Sequence, residues 1–389
     1  MIICEQIARN DARAASFSRN KRIEVDAMTF TEKRDFAQKI AHGLGHQSII
    51  EHNVYTLDCL GISRFLAEQI GSMRNISTVE ESQRYAPVTN LIEIAPEIDK
   101  HLLNEYRKMI EAKTLTNKVS MQTARYILPM SVATNMFVTL NESSLYDLVA
   151  KLTYLATDEL PNSEYPDWVG RELASVIGGL EAVIENFNTE TLAKRMLSRG
   201  SSTITDDMSN MTYFTITTLP AWAKREIESR PTDLNRRVME CIQIKGSALV
   251  SNVCYQQLKR HRKLVVIPSP YRRSQMYMFD RENAFGPPEQ NEVGPVPVID
   301  LKYPMQLISS EVFLRVKDLL TEYIDHEDSS PLGATMRRVR VEGSVRAFAN
   351  FFLQRITKHA QREIRLLAKQ IFMTPDISSF YSIYEKGEA

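Results

Sequence analysis

One spacing recurs in this chain of 389 residues at an offset of about half its length. Ser63-Arg64-(x4)-Gln69-(x4)-Arg74 is matched by Ser251-(x5)-Gln257-(x4)-Arg262, and 257 − 69 = 188. A recurrence of that span predicts two related domains in tandem, 1–198 and 199–389, each long enough to bury its own core. Ser198 to Ser202 (SRGSS) is the linker expected between them. The two copies extend the shared spacing differently. The first runs on through Ser77, Glu80, Ser82, Arg84 and Tyr85, whereas the second holds Arg260-His261-Arg262 between Lys259 and Lys263.

Hydrophobic residues make up 43% of the chain, which argues for a globular protein. The 48 basic and 48 acidic side chains cancel, so net charge does not recruit nucleic acid and any anion site must be a local cluster. Cys4, Cys59, Cys241 and Cys254 form no CxxC pair and read as core residues in a reducing compartment. The first residues lack the apolar core of a signal peptide, and no apolar run reaches membrane-spanning length. The expectation is a cytoplasmic protein with no membrane contact.

Periodicity predicts helices over Lys33–Leu44, Leu91–Ile110, Leu145–Leu155 and Ala174–Leu197, and a helical stripe from Ile62 to Ile70. His46–Leu60 reads as a turn followed by a strand, and Met211–Thr218 as a strand. Asn75–Tyr85 is polar and reads as a ligand-facing loop, and Pro268–Pro297 as a long proline-rich loop. Val345, Phe348, Phe352, Ile356, Ala360, Ile364, Leu367 and Ile371 form one stripe, read as a single helix stopped by Pro375. There is no GxGxxG or GxxxxGK[ST], so neither a Rossmann nor a P-loop reading has support.

Arg260-His261-Arg262 follows an amphipathic helix. Clustered cations repel one another, and forked guanidinium donors suit phosphate. A solvated helix end that complements the dipole is the alternative. In extended backbone Glu80, Ser82 and Arg84 point one way and offer an acceptor, a hydroxyl and a fork. In a helix only Glu80 and Arg84 would meet, as an ordinary i, i+4 pair. His46 and His52 stand six residues apart with no third ligand, which argues against a metal. Arg346 and Arg355, nine residues apart, need not share a helix face.

Together these pieces resemble the flavin-dependent thymidylate synthase family. Its signature, Arg-His-Arg-x2-Ser-x-Asn-Glu-x-Ser-x-Arg-Tyr, follows His-x-Ser-x2-Glu-His and Ser-Arg-x4-Gln. The first half carries His46, Ser48, Glu51, His52, Ser63, Arg64, Gln69, Arg74, Ser77, Glu80, Ser82, Arg84 and Tyr85 in register, then Ala124-Arg125-x2-Leu128-Pro129 and Asn141. Ser72 and Met73 replace the Arg and His of the triplet, Val79 the Asn, Ser143 a later Arg, and Leu152 the arginine that polarises uracil. The second half is nearly the complement. It keeps Gln257, Arg260, His261, Arg262, Arg346, Arg355 and His359-Ala360-Gln361-x-Glu363-Ile364, with Pro268 and Pro270 in place of Glu-x-Ser.

The resemblance implies an α+β fold: two tandem domains of that family, with mixed helices packed on a mainly antiparallel sheet. It implies conversion of dUMP to dTMP, or a related C5 modification, with FAD as cofactor and NADPH and methylenetetrahydrofolate as co-substrates. Arg260, His261, Arg262, Arg346 and His52 would hold the flavin. Gln69, Arg74, Glu80, Ser82, Arg84, Arg125 and Gln257 would hold the nucleotide, and Arg355 would be catalytic. The expected assembly is a homodimer whose four repeats imitate the family's four subunits. The motif losses leave open a degenerate homologue that serves as a structural or nucleotide-sensing protein.

Overall fold

The computed structural model describes residues 10, 12–15, 25–44, 47–83, 85–111, 121–160, 164–184, 188–198, 213–217, 238–271, 310–333, 336–356 and 362–385, with a few isolated positions besides. The described residues form two compact units. Unit 1 comprises 1–82, 88–95 and 131–202; unit 2 comprises 83–87, 96–130 and 203–389. The units therefore cross the sequence repeats, because 83–87 and 96–130 of the first repeat belong to unit 2.

In unit 1, β1 (Val54–Ser63), β2 (Ile76–Glu80) and β3 (Ala133–Asn141) make an antiparallel sheet in the order β1-β3-β2. The helices are α1 (Phe30–Gln38), α2 (Arg64–Gly71), α5 (Glu142–Tyr154), α6 (Asp167–Val183) and α7 (Thr189–Ser198). In unit 2, α3 (Glu97–Glu111) and α4 (Met121–Ala124) precede β4 (Tyr213–Ile216), α8 (Val238–Cys241), β5 (Gln243–Ser251), α9 (Asn252–Leu258) and β6 (Val265–Pro268). After these come α10 (Ser310–Asp325), β7 (Met336–Ser344), α11 (Val345–Arg355), α12 (Arg362–Phe372) and α13 (Pro375–Glu385). The sheet order is β4-β5-β7-β6, again antiparallel. The α+β expectation holds in both units, and β5-β7-β6 repeats β1-β3-β2 with β4 added at the edge.

Local chemistry sets the strand-to-helix joints alike in both units. Ser63 ends β1 in extended backbone, and its Oγ accepts the Leu66 N–H; Ser251 does the same at the end of β5 for Cys254. Asn141 caps α5 and Ser344 caps α11 in the same way. Each such cap stabilises its helix by about 1 kcal/mol. The offset is 251 − 63 = 188 at the first joint and 344 − 141 = 203 at the second. Extra chain thus lies between them: 41 residues separate β6 from α10, against 16 between β2 and α3.

The core of unit 2 lies between its sheet and the C-terminal helices, where Phe348, Phe351, Phe352, Phe372 and Tyr381 interlock at centroid distances of 5.4–6.1 Å. Burying each such ring stabilises by about 1.5–3 kcal/mol. Unit 1 packs Phe65 edge-on against Tyr165 and Trp168.

Several expectations are corrected. Asn75–Tyr85 is not wholly a loop, since Ile76–Glu80 forms β2, with Ile76 buried and its neighbour Ser77 exposed in the alternation of a strand. The helix read from Leu91 begins only at Glu97, behind Pro96, while Leu91 bridges to Val132. Ala174–Leu197 is two helices, because Ile184 is extended and Asn188 starts a new helix by accepting the Thr191 N–H. The stripe from Val345 to Ile371 is also two helices. Its four-residue spacing runs unbroken across the interruption, so periodicity could not reveal it. Pro375 follows the end of α12 at Phe372, as expected of a stop, and it also opens α13, where its fixed φ suits the first turn.

Candidate functional site

The Arg-His-Arg triplet lies just beyond α9 in unit 2. Its residues alternate: Arg260 and Arg262 are exposed, while His261 is buried at 7% exposure. His261 packs edge-on against Phe351 of α11, with 4.9 Å between ring centroids. Its Nε2 accepts a hydrogen bond from Nε of the half-buried Arg355 at 2.5 Å. The other ring nitrogen, Nδ1, therefore carries the proton. Burial first, and the Arg355 charge second, push the His261 pKa down to about 3. The imidazole is neutral at pH 7 and acts as an acceptor that aims the guanidinium. His261 and Arg355, 94 residues apart in sequence and read separately as a flavin contact and a catalytic residue, are thus brought into contact through α9 and α11.

The matching joint of unit 1 is built differently. At these offsets Met73 stands for His261 and Leu152 for Arg355. A cation still arrives, but from the preceding position: Lys151 Nζ donates to the Gln69 carbonyl at 2.7 Å and to Ser72 Oγ at 2.6 Å. Lys151 therefore neutralises the carbonyl end of α2, a structural use of charge. Sequence reading missed this contact, since only the geometry shows that α5 crosses the end of α2.

Arg125 belongs to unit 2. It sits in the 3-10 turn Arg125–Ile127 at 4% exposure, close enough for its charge to act on Glu363 and Cys254. The charge of Arg355 acts on Cys254 as well. Arg125, Arg355 and His261 therefore share one neighbourhood, although Arg125 comes from the first repeat. Gln257 is buried on α9 at 3% exposure. Arg346, at the opposite end of α11 from Arg355, forms an ion pair with Glu240 at 3.1 Å.

The remaining predicted residues lie in unit 1. Glu80 ends β2, and its carboxylate pairs with Arg64 at 2.5 Å, both side chains being under a tenth exposed. Ser82 and Gln69 are half-buried, and Arg74 and His52 are exposed. Arg84, His46, His359 and Gln361 lie outside the described residues. Among the described residues no three His, Cys, Asp or Glu side chains are grouped to hold a metal, and no helix is long and apolar enough to cross a membrane.

Sequence reading also missed Glu363 and Glu172 as partners of the capping serines. Glu172 accepts the Ser63 N–H at 2.7 Å and the Ser63 hydroxyl at 2.5 Å; Glu363 accepts the same two groups of Ser251 at 2.8 and 2.5 Å. The duplication thus survives in a three-dimensional contact even where the sequences have diverged.

A family model described as thymidylate synthase complementing protein matches residues 3–160 and again 195–374. Curated relatives include flavin-dependent thymidylate synthases from Sulfurisphaera tokodaii, 34% identical over 115 residues (27% of this chain and 45% of that protein), and Pyrococcus furiosus, 30% identical over 112 residues (25% and 46%). The chain spans less than half the length of these relatives. A crystal structure of thymidylate synthase X from Helicobacter pylori with FAD and dUMP aligns with 49% of this chain and 94% of that one, at 14% identity and a TM-score of 0.38.

Proposed function

The chain belongs to the thymidylate synthase complementing protein family and carries its domain twice; on that premise we propose that it is a flavin-dependent methyltransferase acting on C5 of a pyrimidine deoxynucleotide. The observation that carries this reading is the composition of unit 2. The His261–Arg355 pair, the exposed Arg260 and Arg262, and Arg125 of the first repeat all belong to that one compact body.

These residues fit FAD. Two exposed guanidinium groups flank a fixed, neutral imidazole, and such forks suit a diphosphate. When bound, the flavin supplies the hydride, drawn from NADPH, that completes a methyl group delivered as methylene by methylenetetrahydrofolate. The chain's own residues bind and orient. In unit 2 Arg260 and Arg262 hold the flavin, with Arg346 as a further contact, and Arg125, Gln257 and Arg84 serve the nucleotide. In unit 1 His52 is the flavin position of the family, and Gln69, Arg74, Glu80 and Ser82 are its nucleotide positions. Arg355, aimed by His261, stabilises the charge that develops on the pyrimidine, an effect worth roughly 3 kcal/mol of barrier. No cysteine nucleophile is required. A homodimer of two-repeat chains would supply the four repeats that stand for the family's four subunits, in the cytoplasm.

A second reading, a nucleotide-binding scaffold without turnover, draws support from unit 1. There Met73 and Leu152 stand in place of the His–Arg pair, and Arg64 occupies the Glu80 carboxylate. Flavin stoichiometry separates the two. Absorbance of the purified chain, with and without deoxyuridylate, should show one flavin per chain. Such protein should then methylate deoxyuridylate when given methylenetetrahydrofolate and NADPH. A colourless protein that takes up no flavin under either condition favours the scaffold.

A further inference from the structure

The carboxylate of Glu363 is fully buried and sits where two segments of unit 2 meet. Its Oε1 accepts the Ser251 N–H at 2.8 Å, and its Oε2 accepts both the Ser251 hydroxyl at 2.5 Å and the Tyr126 phenol at 2.9 Å. Ser251 is the cap of α9, a seven-residue helix whose far end leads into His261. Tyr126 is the neighbour of Arg125. We propose that Glu363 is a positioning residue that sets the flavin motif and the Arg125 segment in register through one shared carboxylate. This inference rests on the reading of unit 2 as the flavin and nucleotide site.

The chain contains its own comparison. Glu172 takes the same two hydrogen bonds from Ser63 in unit 1, but among the described residues no phenol joins it. The helix that it anchors, α2, leads to Ser72 and Met73 where α9 leads to Arg260 and His261. The third hydrogen bond is therefore found in the unit that keeps the His–Arg pair. A helix of seven residues spans only about 10 Å. Displacement at Ser251 therefore passes along it to His261, because buried elements move as packed bodies. Burial pushes the Tyr126 phenol and the Glu363 carboxyl up in pKa, as expected of groups that water does not reach.

The test uses the full chain and three variants. Tyr126→Phe should weaken deoxyuridylate binding about tenfold, the scale of one buried hydrogen bond to a charged group, with flavin content unchanged. Glu363→Gln should lower both, because its amide places a donor against donors. Glu172→Gln should leave flavin content unchanged, because α2 leads to Ser72 and Met73 and not to the Arg-His-Arg triplet. Combining Tyr126→Phe with Arg125→Ala should cost no more than Arg125→Ala alone, since the phenol acts through that arginine. Wild-type affinities in folded Tyr126→Phe and Glu363→Gln proteins, or additive losses in the double variant, overturn the proposal. If the unaltered chain binds neither ligand, the site reading fails separately, and amide hydrogen exchange then decides the joint. Protection over 124–130 should fall in Tyr126→Phe, and over both 124–130 and 252–261 in Glu363→Gln; unchanged protection in both variants refutes it.

Discussion

Replacing His261 with methionine, the residue that the first repeat carries at this position, should remove a pH dependence from the stability of the protein. Folded His261 resists protonation until about pH 3, whereas its ordinary value is 6.5. Between pH 7 and pH 5 the unfolded chain takes up a proton here that the folded chain refuses, so stability falls as the pH falls. For a group moved from 6.5 to about 3, the loss over that window is about 2 kcal/mol. The thioether cannot take a proton, so the His261→Met protein should lack this component. The assay is urea unfolding of both proteins at pH 7, 6 and 5, with the histidine ring resonances followed by NMR. The chain has seven histidines, and the resonance that vanishes in the variant should show no titration above pH 5. Arg355→Leu should keep most of the effect, because burial is the larger cause and the Arg355 charge the smaller. Equal pH slopes in wild type and His261→Met, or seven rings that all titrate near pH 6.5, would refute the buried neutral imidazole.

Other outcomes follow from the same geometry. Arg260→Ala with Arg262→Ala should abolish flavin uptake, and full flavin content in that protein removes both residues from the cofactor site. Arg355→Leu should keep flavin but slow turnover at saturating nucleotide by about 100- to 1000-fold; an unchanged kcat strips Arg355 of its role. Glu80→Ala leaves Arg64 buried without its carboxylate, so unit 1 should lose about 3–5 kcal/mol by urea unfolding and deoxyuridylate should bind more weakly by calorimetry. Wild-type stability and affinity together would discredit both uses of Glu80. Gly333→Ala places a methyl 2.1 Å from the Tyr323 ring and should destabilise by about 1–3 kcal/mol. An unaltered melting temperature would show that Tyr323 can move aside.

Much of the architecture was legible in the sequence. The recurrence of Ser, Gln and Arg around Ser63 and Ser251 exposed the duplication, whereas the capping role of both serines came from the structure. The run Met211–Thr218, rich in Thr and aromatics, contains the expected strand as β4, and the stripe from Val345 to Ile371 marks core-facing positions on α11 and α12. Breaks in the helices were not legible from apolar spacing. An apolar residue every four positions reads the same whether a helix continues or stops and restarts in phase, as it does between Ile356 and Ile364. β2 was hidden because its exposed face carries the same Ser and Val residues that a binding loop would carry.

The sequence by itself determined that the chain holds two copies of one domain, that the copies kept complementary motifs, and that the Arg-His-Arg triplet stands in only one of them. These are matters of residue identity and spacing, which the chain records directly. Only the tertiary structure decided which of those residues meet. It placed the Arg125 segment in unit 2, where its neighbour Tyr126 shares the Glu363 carboxylate with Ser251. It joined His261 to Arg355, and it turned Lys151 toward the end of α2 while Arg64 took up Glu80. The physical reason is that contacts between residues tens to hundreds of positions apart depend on how helices cross at the ends of a sheet. That crossing is set by the packing of whole faces, which no local spacing encodes.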